Sequence, residues 1–273
     1  MRVGGFTCIL LAAASTAAAQ PDLVDRTFEV NGLSLHIRCG GQRAVGAPLV
    51  VLEAGANNSA DTWRDVHGPI SQFARACAWD RPGRGSSASP AKVLAPTDYV
   101  PLLAGLLKAA NEPGPYVLVG HSIGGIIGGL FANAYASDVA GMVLVDSSHE
   151  AQIRRFQEIN ASRPATSPAA APTPPPTAGP VEPLPVRGLI DLLATQPWRA
   201  NIPLVVLTRG QTPPSAPEHM AAVWLELQRD LATRSPQGKQ IIAANSGHYI
   251  HNDEPHLVID AVRTVITAAA PGK

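Results

Sequence analysis

The six residues Gly120-His121-Ser122-Ile123-Gly124-Gly125 constrain this chain more tightly than any others. They follow the apolar run Tyr116–Val119 and precede Ile123, Ile126, Ile127, Leu130, Phe131 and Ala134, which recur at helical spacing. A strand that turns into a helix over so few residues needs a strained backbone at Ser122. It also needs no Cβ at Gly120 or Gly124, where one would strike neighbouring backbone. Ser122 then stands at a helix N-terminus, where the Ile123 N–H points at developing negative charge. Such a turn demands a buried strand behind it and a helical layer in front, so the expected fold class is α/β.

The rest of the chain supplies those layers. Thr27–Val30 and Leu33–Arg38, split by Asn31-Gly32, read as a β-hairpin with a type I′ turn. Pro48–Glu53, Ala76–Asp80, Tyr116–Val119, Gly141–Val145, Leu204–Leu207 and Gln240–Ala243 are short apolar runs, the mark of strands covered on both faces. Met220, Val223, Trp224, Leu227 and Leu231 form one helical stripe. Val258, Ala261, Val262, Val265 and Ile266 form another, opened in N-cap style by Asn252-Asp253-Glu254-Pro255. Strands alternating with helices after a hairpin predict a mostly parallel sheet with helices on both faces. The chain has 273 residues, is 45% hydrophobic and carries 21 basic against 21 acidic side chains. That balance argues against disorder and against long-range attraction to nucleic acid or anionic lipid.

Two segments stand apart. Met1-Arg2, the small apolar stretch Val3–Ala14 and Ala17-Ala18-Ala19 before Gln20 have the pattern of a cleaved secretory leader over 1–19. The mature domain is then 20–273, secreted or periplasmic and without a stable membrane anchor. Export leaves Cys39 and Cys77, either as a disulfide or as two buried thiols. The second segment, 164–185, holds nine prolines in 22 residues and forms neither helix nor central strand. Its flanks, His149–Ser162 and Val186–Trp198, read as helical. The strand–helix rhythm resumes at Ile202, so 147–201 is expected as an insertion that acts as a lid.

A serine hydroxyl needs a base. His248, in Ser246-Gly247-His248 after the last strand, is the expected one. His36 lies in the hairpin, His67 early in the chain and His219 at a helix start, while His121 is expected to face away from the site. A His248/His251 metal pair lacks a third ligand at sensible spacing, so neither metal nor cofactor is expected. The orienting acid should lie between Ser122 and His248 at a strand end. Asp146 ends the run Gly141–Val145. After Leu204–Leu207 comes Thr208-Arg209-Gly210-Gln211, with no carboxylate before Glu218, the alternative. A second oxyanion donor should come from the loop Glu53–Asn58, with Gly55 allowing close approach and Ala56 N–H the expected donor beside Ile123 N–H.

Together the elbow Gly120–Gly124, Ser246-Gly247-His248, Gly55-Ala56 and Asp80-Arg81-Pro82-Gly83-Arg84-Gly85-Ser86 resemble the α/β-hydrolase fold superfamily, in its lid-bearing serine esterase-like branch. The resemblance covers the whole mature chain and implies an eight-stranded, mostly parallel sheet. It departs at Ala54-Gly55, where many relatives have His-Gly, and after the penultimate strand, where many carry the acid. The superfamily's sheet order sets the second strand beside the fourth, which implies a Cys39–Cys77 disulfide. The segment Gly83–Ala88 also fits a dinucleotide loop, but Pro90 blocks the helix such a loop requires. The expected partner is a small-molecule carboxylic ester. The alternatives are amide or peptide hydrolysis, carbon–carbon bond hydrolysis, or ligand binding without turnover. Amide hydrolysis would call for an acidic pocket, for which Glu150, Glu158, Glu182 and Asp191 are the lid's candidates.

Overall fold

The computed structural model describes residues 23–161, 184–213 and 216–270. The expected leader and all but the last two residues of the proline-rich stretch lie outside the described residues. Eight strands form one sheet in the order β1-β2-β4-β3-β5-β6-β7-β8. They are β1 (Val24–Val30), β2 (Leu33–Gly40), β3 (Leu49–Glu53), β4 (Ala76–Trp79), β5 (Tyr116–His121), β6 (Val139–Val145), β7 (Leu204–Arg209) and β8 (Gly238–Ala243). β1 pairs β2 and β2 pairs β4 antiparallel, and every later pairing is parallel. The hairpin turn has positive φ at both Asn31 (50°) and Gly32 (78°), as a type I′ turn requires. β3 and β4 each fall one residue short of the apolar runs and the other strands extend beyond them; β5 continues through Gly120 and His121, which carries the chain directly into Ser122.

The alternation of side chains decides the layers. Val51, Leu118, Met142, Leu144, Leu204 and Val206 face one core, shared with Leu103 and Leu106 of α2 (Tyr99–Ala109) and with Ile126, Ile127 and Phe131 of α3 (Ile123–Ala134). Val50, Leu52, Val117, Val119, Val143, Val145, Val205 and Leu207 face the other. Val66 and Ile70 of α1 (Arg64–Ser71) and Val258, Val262 and Val265 of the last helix (Pro255–Ala269) cover that face. Both faces of the central strands are buried, which is why those strands read as continuous apolar runs.

Between β6 and β7 lie α4 (Gln152–Ala161) and α5 (Val186–Thr195), each shorter than the helical flanks expected from sequence. α6 (Glu218–Ala232), a short α7 (Ile250–Asp253) and α8 (Pro255–Ala269) complete the chain. No described helix is long and apolar enough to cross a membrane. Cys39 and Cys77 stand opposite each other in the β2–β4 register and form a disulfide. The glycine-rich segment after β4 wraps around Asp80, so that a Cβ on Gly85 would fall 2.1 Å from the Asp80 carboxylate. It serves that carboxylate rather than opening a helix.

Candidate active site

The C-terminal ends of the parallel strands gather the expected residues. Ser122 sits between β5 and α3 with φ 53° and ψ −122°, a strained conformation for a residue with a side chain. Its main chain is pinned from both directions. Ser122 N–H donates to Val145 O (3.2 Å), and Ser122 O accepts from Ser148 N–H (2.9 Å) and Gly125 N–H (3.1 Å). A Cβ on Gly124 would lie 2.3 Å from Glu53 O, and one on Gly120 would lie 2.6 Å from Gly125 N. The turn therefore closes only with glycine at both places.

Asp146 follows β6 and is fully buried, at positive φ (41°) that aspartate tolerates better than most residues. His248 Nδ1 lies 2.6 Å from Asp146 Oδ2. That contact makes Nδ1 the donor, because a carboxylate only accepts. His248 Nε2 is thereby left as the acceptor nitrogen on a ring about one-third exposed. Glu218, the alternative acid, is exposed at the start of α6.

The loop that presents His248 is held by residues with other expected duties. Asp253 Oδ2 accepts from Gly247 N–H (3.0 Å) and Ser246 Oγ–H (3.1 Å), and Glu254 Oε2 accepts from Asn245 N–H (2.9 Å). These acidic residues brace the histidine loop; α8 starts without a side-chain cap, at Pro255. His121 does not turn away. Its Nε2 donates to His248 O (3.0 Å), and its ring packs 4.6 Å from those of His248 and His251. Burial, with His248 and His251 beside it, pushes His121 well below the ordinary 6.5, and burial lowers His251 to about 4. Both rings are neutral near pH 7, so the crowding adds no charge beside His248.

The loop after β3 is gripped by arginines. Arg81, fully buried, donates to Glu53 Oε1 (2.7 Å), Ala54 O (2.7 Å) and Gly55 O (2.6 Å), and Arg84 donates to Asn57 O. A trans peptide sets its C=O and N–H in opposite directions, so the Ala56 N–H points away from Arg81. Gly55 is required here for a reason its neighbours impose: a Cβ would lie 2.6 Å from His121 Nδ1.

A model of the alpha/beta hydrolase family matches residues 49–261, from β3 into α8. The chain belongs to the alpha/beta hydrolase family. Over 262 residues it is 30% identical to the uncharacterized protein YqjL of Bacillus subtilis (strain 168), covering 90% of this chain and 93% of that one. Among solved structures it resembles a thermophilic esterase from Thermogutta terrifontis. That match has TM-score 0.59 and 20% identity, over 92% of this chain and 99% of the other. An epoxide hydrolase from Vigna radiata matches at TM-score 0.65 and 15% identity, over 90% and 98%. These likenesses show the fold.

Within that fold two further side chains meet Asp146, and neither is expected there from sequence. Trp224 Nε1 donates to Asp146 Oδ1 (2.8 Å), and Arg209 reaches both carboxylate oxygens, from its backbone N–H (3.2 Å) and its Nη1 (3.1 Å). Trp224 reads in sequence only as part of an apolar stripe. Arg209 sits at the strand end where many relatives carry the acid, and that position is the one signal of it in the sequence. Of the four acidic residues that amide hydrolysis would call on, the three among the described residues are already paired. Glu150 pairs with Arg234, Glu158 with Arg154 and Arg155, and Asp191 with Arg187, while Glu182 lies outside the described residues. His149, Glu150 and Asp230 cluster closely enough to hold a metal, but Arg234 already supplies the cation there, bonded to Glu150 and to Asp230 (2.8 Å).

Proposed function

We infer that this protein is a serine hydrolase that cleaves a carboxylic ester through an acyl-enzyme. The observation that carries the reading is the 2.6 Å contact of His248 Nδ1 with buried Asp146, with His248 O bonded to His121, the residue before the strained Ser122. In this reading Ser122 Oγ attacks the acyl carbonyl while His248 Nε2 takes its proton. The charge that forms on the carbonyl oxygen is met by the N–H groups of Ile123 and Ala56. Ile123 is the first residue of α3, so its N–H lacks an intrahelical acceptor, and Ala56 N–H is turned from Arg81 by the peptide geometry. The intermediate collapses, and the His248 imidazolium protonates the departing alkoxide. Water then attacks the acyl-enzyme, giving its proton to His248 and returning Ser122 Oγ–H. Asp146 stays ionised throughout and holds His248 in the tautomer that leaves Nε2 free. An ester suits this machinery, because an alkoxide departs with less help from the acid than an amide nitrogen needs.

The insertion covers the site in this reading. Leu189, Ile190 and Leu193 of α5 and the following Trp198 are buried in the core that α3 shares, with Trp198 set where a Cβ on Gly129 would lie 2.5 Å from it. Export of the mature chain is part of the same proposal, and the buried Cys39–Cys77 disulfide supports it. N-terminal sequencing of protein recovered outside the cytosol should start near Gln20; an N-terminus at Met1 on all recovered protein argues against export.

The decisive test uses a fluorophosphonate probe on the folded protein, followed by peptide mass spectrometry. A labelled Ser122 peptide, absent in Ser122→Ala, is expected. A folded wild-type protein that stays unlabelled would overturn the reading.

A further inference from the structure

The end of β7 holds an arginine against the buried acid, and the triad does not account for it. β6 and β7 run parallel with Val145 beside Leu207, and Asp146 N–H donates to Leu207 O (2.8 Å). That register delivers Arg209 next to Asp146 at the same end of the sheet. Arg209 Nη1 and His248 Nδ1 both donate to Oδ2 of Asp146, at 3.1 and 2.6 Å, so two cation-forming groups share one oxygen. The indole of Trp224 fixes the arrangement. It stacks 4.5 Å from the Arg209 guanidinium and sends its Nε1–H to Oδ1.

A base that is to accept a proton from Ser122 must rest neutral. A fully buried carboxylate beside a neutral imidazole is an uncompensated charge, which is costly to keep. Arg209 removes that difficulty by balancing Asp146 before His248 is protonated. A protonated His248 ring would share Oδ2 with a guanidinium already bonded there. The other ionisable groups around His248 do not duplicate this role. His121 from β5 and His251 from α7 are held neutral by burial, Tyr249 stacks 5.4 Å from the His248 ring, and Asp253 is engaged with Ser246 and Gly247. Arg81 lies behind His121, committed to Glu53 and the loop after β3.

We propose that Arg209 is a positioning residue that holds Asp146 by Oδ2 and sets the pH at which His248 becomes a base. The proposal rests on His248 acting as the base of Ser122. Where many relatives carry an acid after the penultimate strand, this chain puts the acid one strand earlier and uses the vacated strand end for its counter-charge.

The test is the pH dependence of kcat/KM on an ester substrate for wild type, Arg209→Gln and Arg209→Lys, with folding checked by thermal melting. The backbone N–H of Arg209 survives both changes, so only the side chain is questioned. In R209Q the acidic limb should move up by about one pH unit, and kcat should fall about tenfold with KM nearly unchanged. R209K keeps the charge and should leave the limb within a few tenths of a unit of wild type. An unmoved limb in folded R209Q overturns the proposal. So does a full-unit displacement in R209K, which remains decisive if R209Q fails to fold. NMR titration of the His248 ring in Ser122→Ala, with and without R209Q, reads the same shift without turnover. Absence of fluorophosphonate labelling in wild type would therefore sink the hydrolase reading and with it the base that Arg209 is proposed to set, whereas an unmoved His248 titration in a protein that labels would sink the role of Arg209 alone.

Discussion

Two histidine–aspartate pairs in this molecule are nearly superimposable in their chemistry and opposite in their setting. His36 Nδ1 meets Asp80 Oδ2 at 2.8 Å, and His248 Nδ1 meets Asp146 Oδ2 at 2.6 Å. Both carboxylates are buried and both collect backbone N–H donors: Ala60 and Ser86 for Asp80, Arg209 for Asp146. The difference lies on the far side of each ring. His36 Nε2 is taken by Asp25 Oδ1 at 2.6 Å, which closes the pair into a clasp between the hairpin and the loop after β4. His248 Nε2 holds no hydrogen bond among the described residues, and its ring is about one-third exposed. A histidine–aspartate contact is thus no sign of catalysis by itself. What distinguishes a base from a brace is whether the second nitrogen is left open.

That contrast is broken most directly by deleting one ring at a time. Ser122→Ala or His248→Gln should cost about a million-fold in kcat, with the melting temperature within a degree or two of wild type. His36→Gln should leave kcat within a factor of about three and lower stability by about 1–3 kcal/mol. Ester turnover and thermal melting on the three variants decide it. Comparable loss of turnover in His36→Gln would mean that the two pairs are not separable.

The acids sharpen the same point. Asp146→Asn should lower kcat by about 10⁴-fold, because the amide favours the wrong imidazole tautomer. Asp80→Asn presents N–H₂ to a site with three donors, His36, Ala60 N–H and Ser86 N–H. It should cost roughly 3–5 kcal/mol of stability, read as a lower urea midpoint, while the kcat of the remaining folded protein stays near wild type.

Much of this was legible in the sequence, and the reason is local. The order of layers follows from period-two and 3.6-residue patterns that neighbouring residues impose on one another. The elbow is legible because glycine at 120 and 124 answers to a clash within the turn itself. Asp146 and His248 could be placed because strand ends are where such a fold exposes side chains. What stayed hidden depends on pairings between strands and helices far apart in the chain. Trp224 looks like one more apolar residue on α6 until the packing of α6 aims its Nε1 at Asp146, 78 positions earlier. His121, inside the elbow, is expected to face away, yet the loop from β8 brings His248 O back onto its ring, 127 positions later. Asp253 and Glu254 resemble a helix cap by composition, and only the return of the histidine loop shows what they hold.

The closed and open histidines also differ from the two buried rings beside the site, and pH separates them. Burial lowers His251 to about 4 from the ordinary 6.5, with His248 pushing the same way. The unfolded chain therefore takes up that proton first. The contribution of the neutral buried ring is complete above about pH 6.5 and is lost as pH falls towards 4, at a rate near 1.4 kcal/mol per pH unit. His251→Gln should flatten this part of the profile. The loss in unfolding free energy between pH 7 and pH 4.5 should shrink by about 2 kcal/mol. An unchanged loss in urea titrations at the two pH values would show that His251 does not carry it.

The smallest effect belongs to the outer end of the clasp. The hydrogen bond from His36 holds the Asp25 carboxyl below its ordinary 3.8; partial burial opposes this, and Arg38 adds to it. A lowered carboxylate favours the folded state wherever it is ionised there and not in the unfolded chain. Its stabilisation is complete above the unfolded value near 3.8 and is lost as pH falls through the folded value below it. Asp25 is 42% exposed, so solvent screens the pair and the contribution should stay below about 1 kcal/mol. Asp25→Asn should accordingly be slightly less stable than wild type at pH 6, with the difference narrowing as pH falls below 3.8, and its ester turnover at pH 6 should be unchanged. A larger loss at pH 6, or any change in kcat, would mean that the clasp reaches the site through β2 and β4, and that the two histidine–aspartate pairs are coupled rather than merely alike.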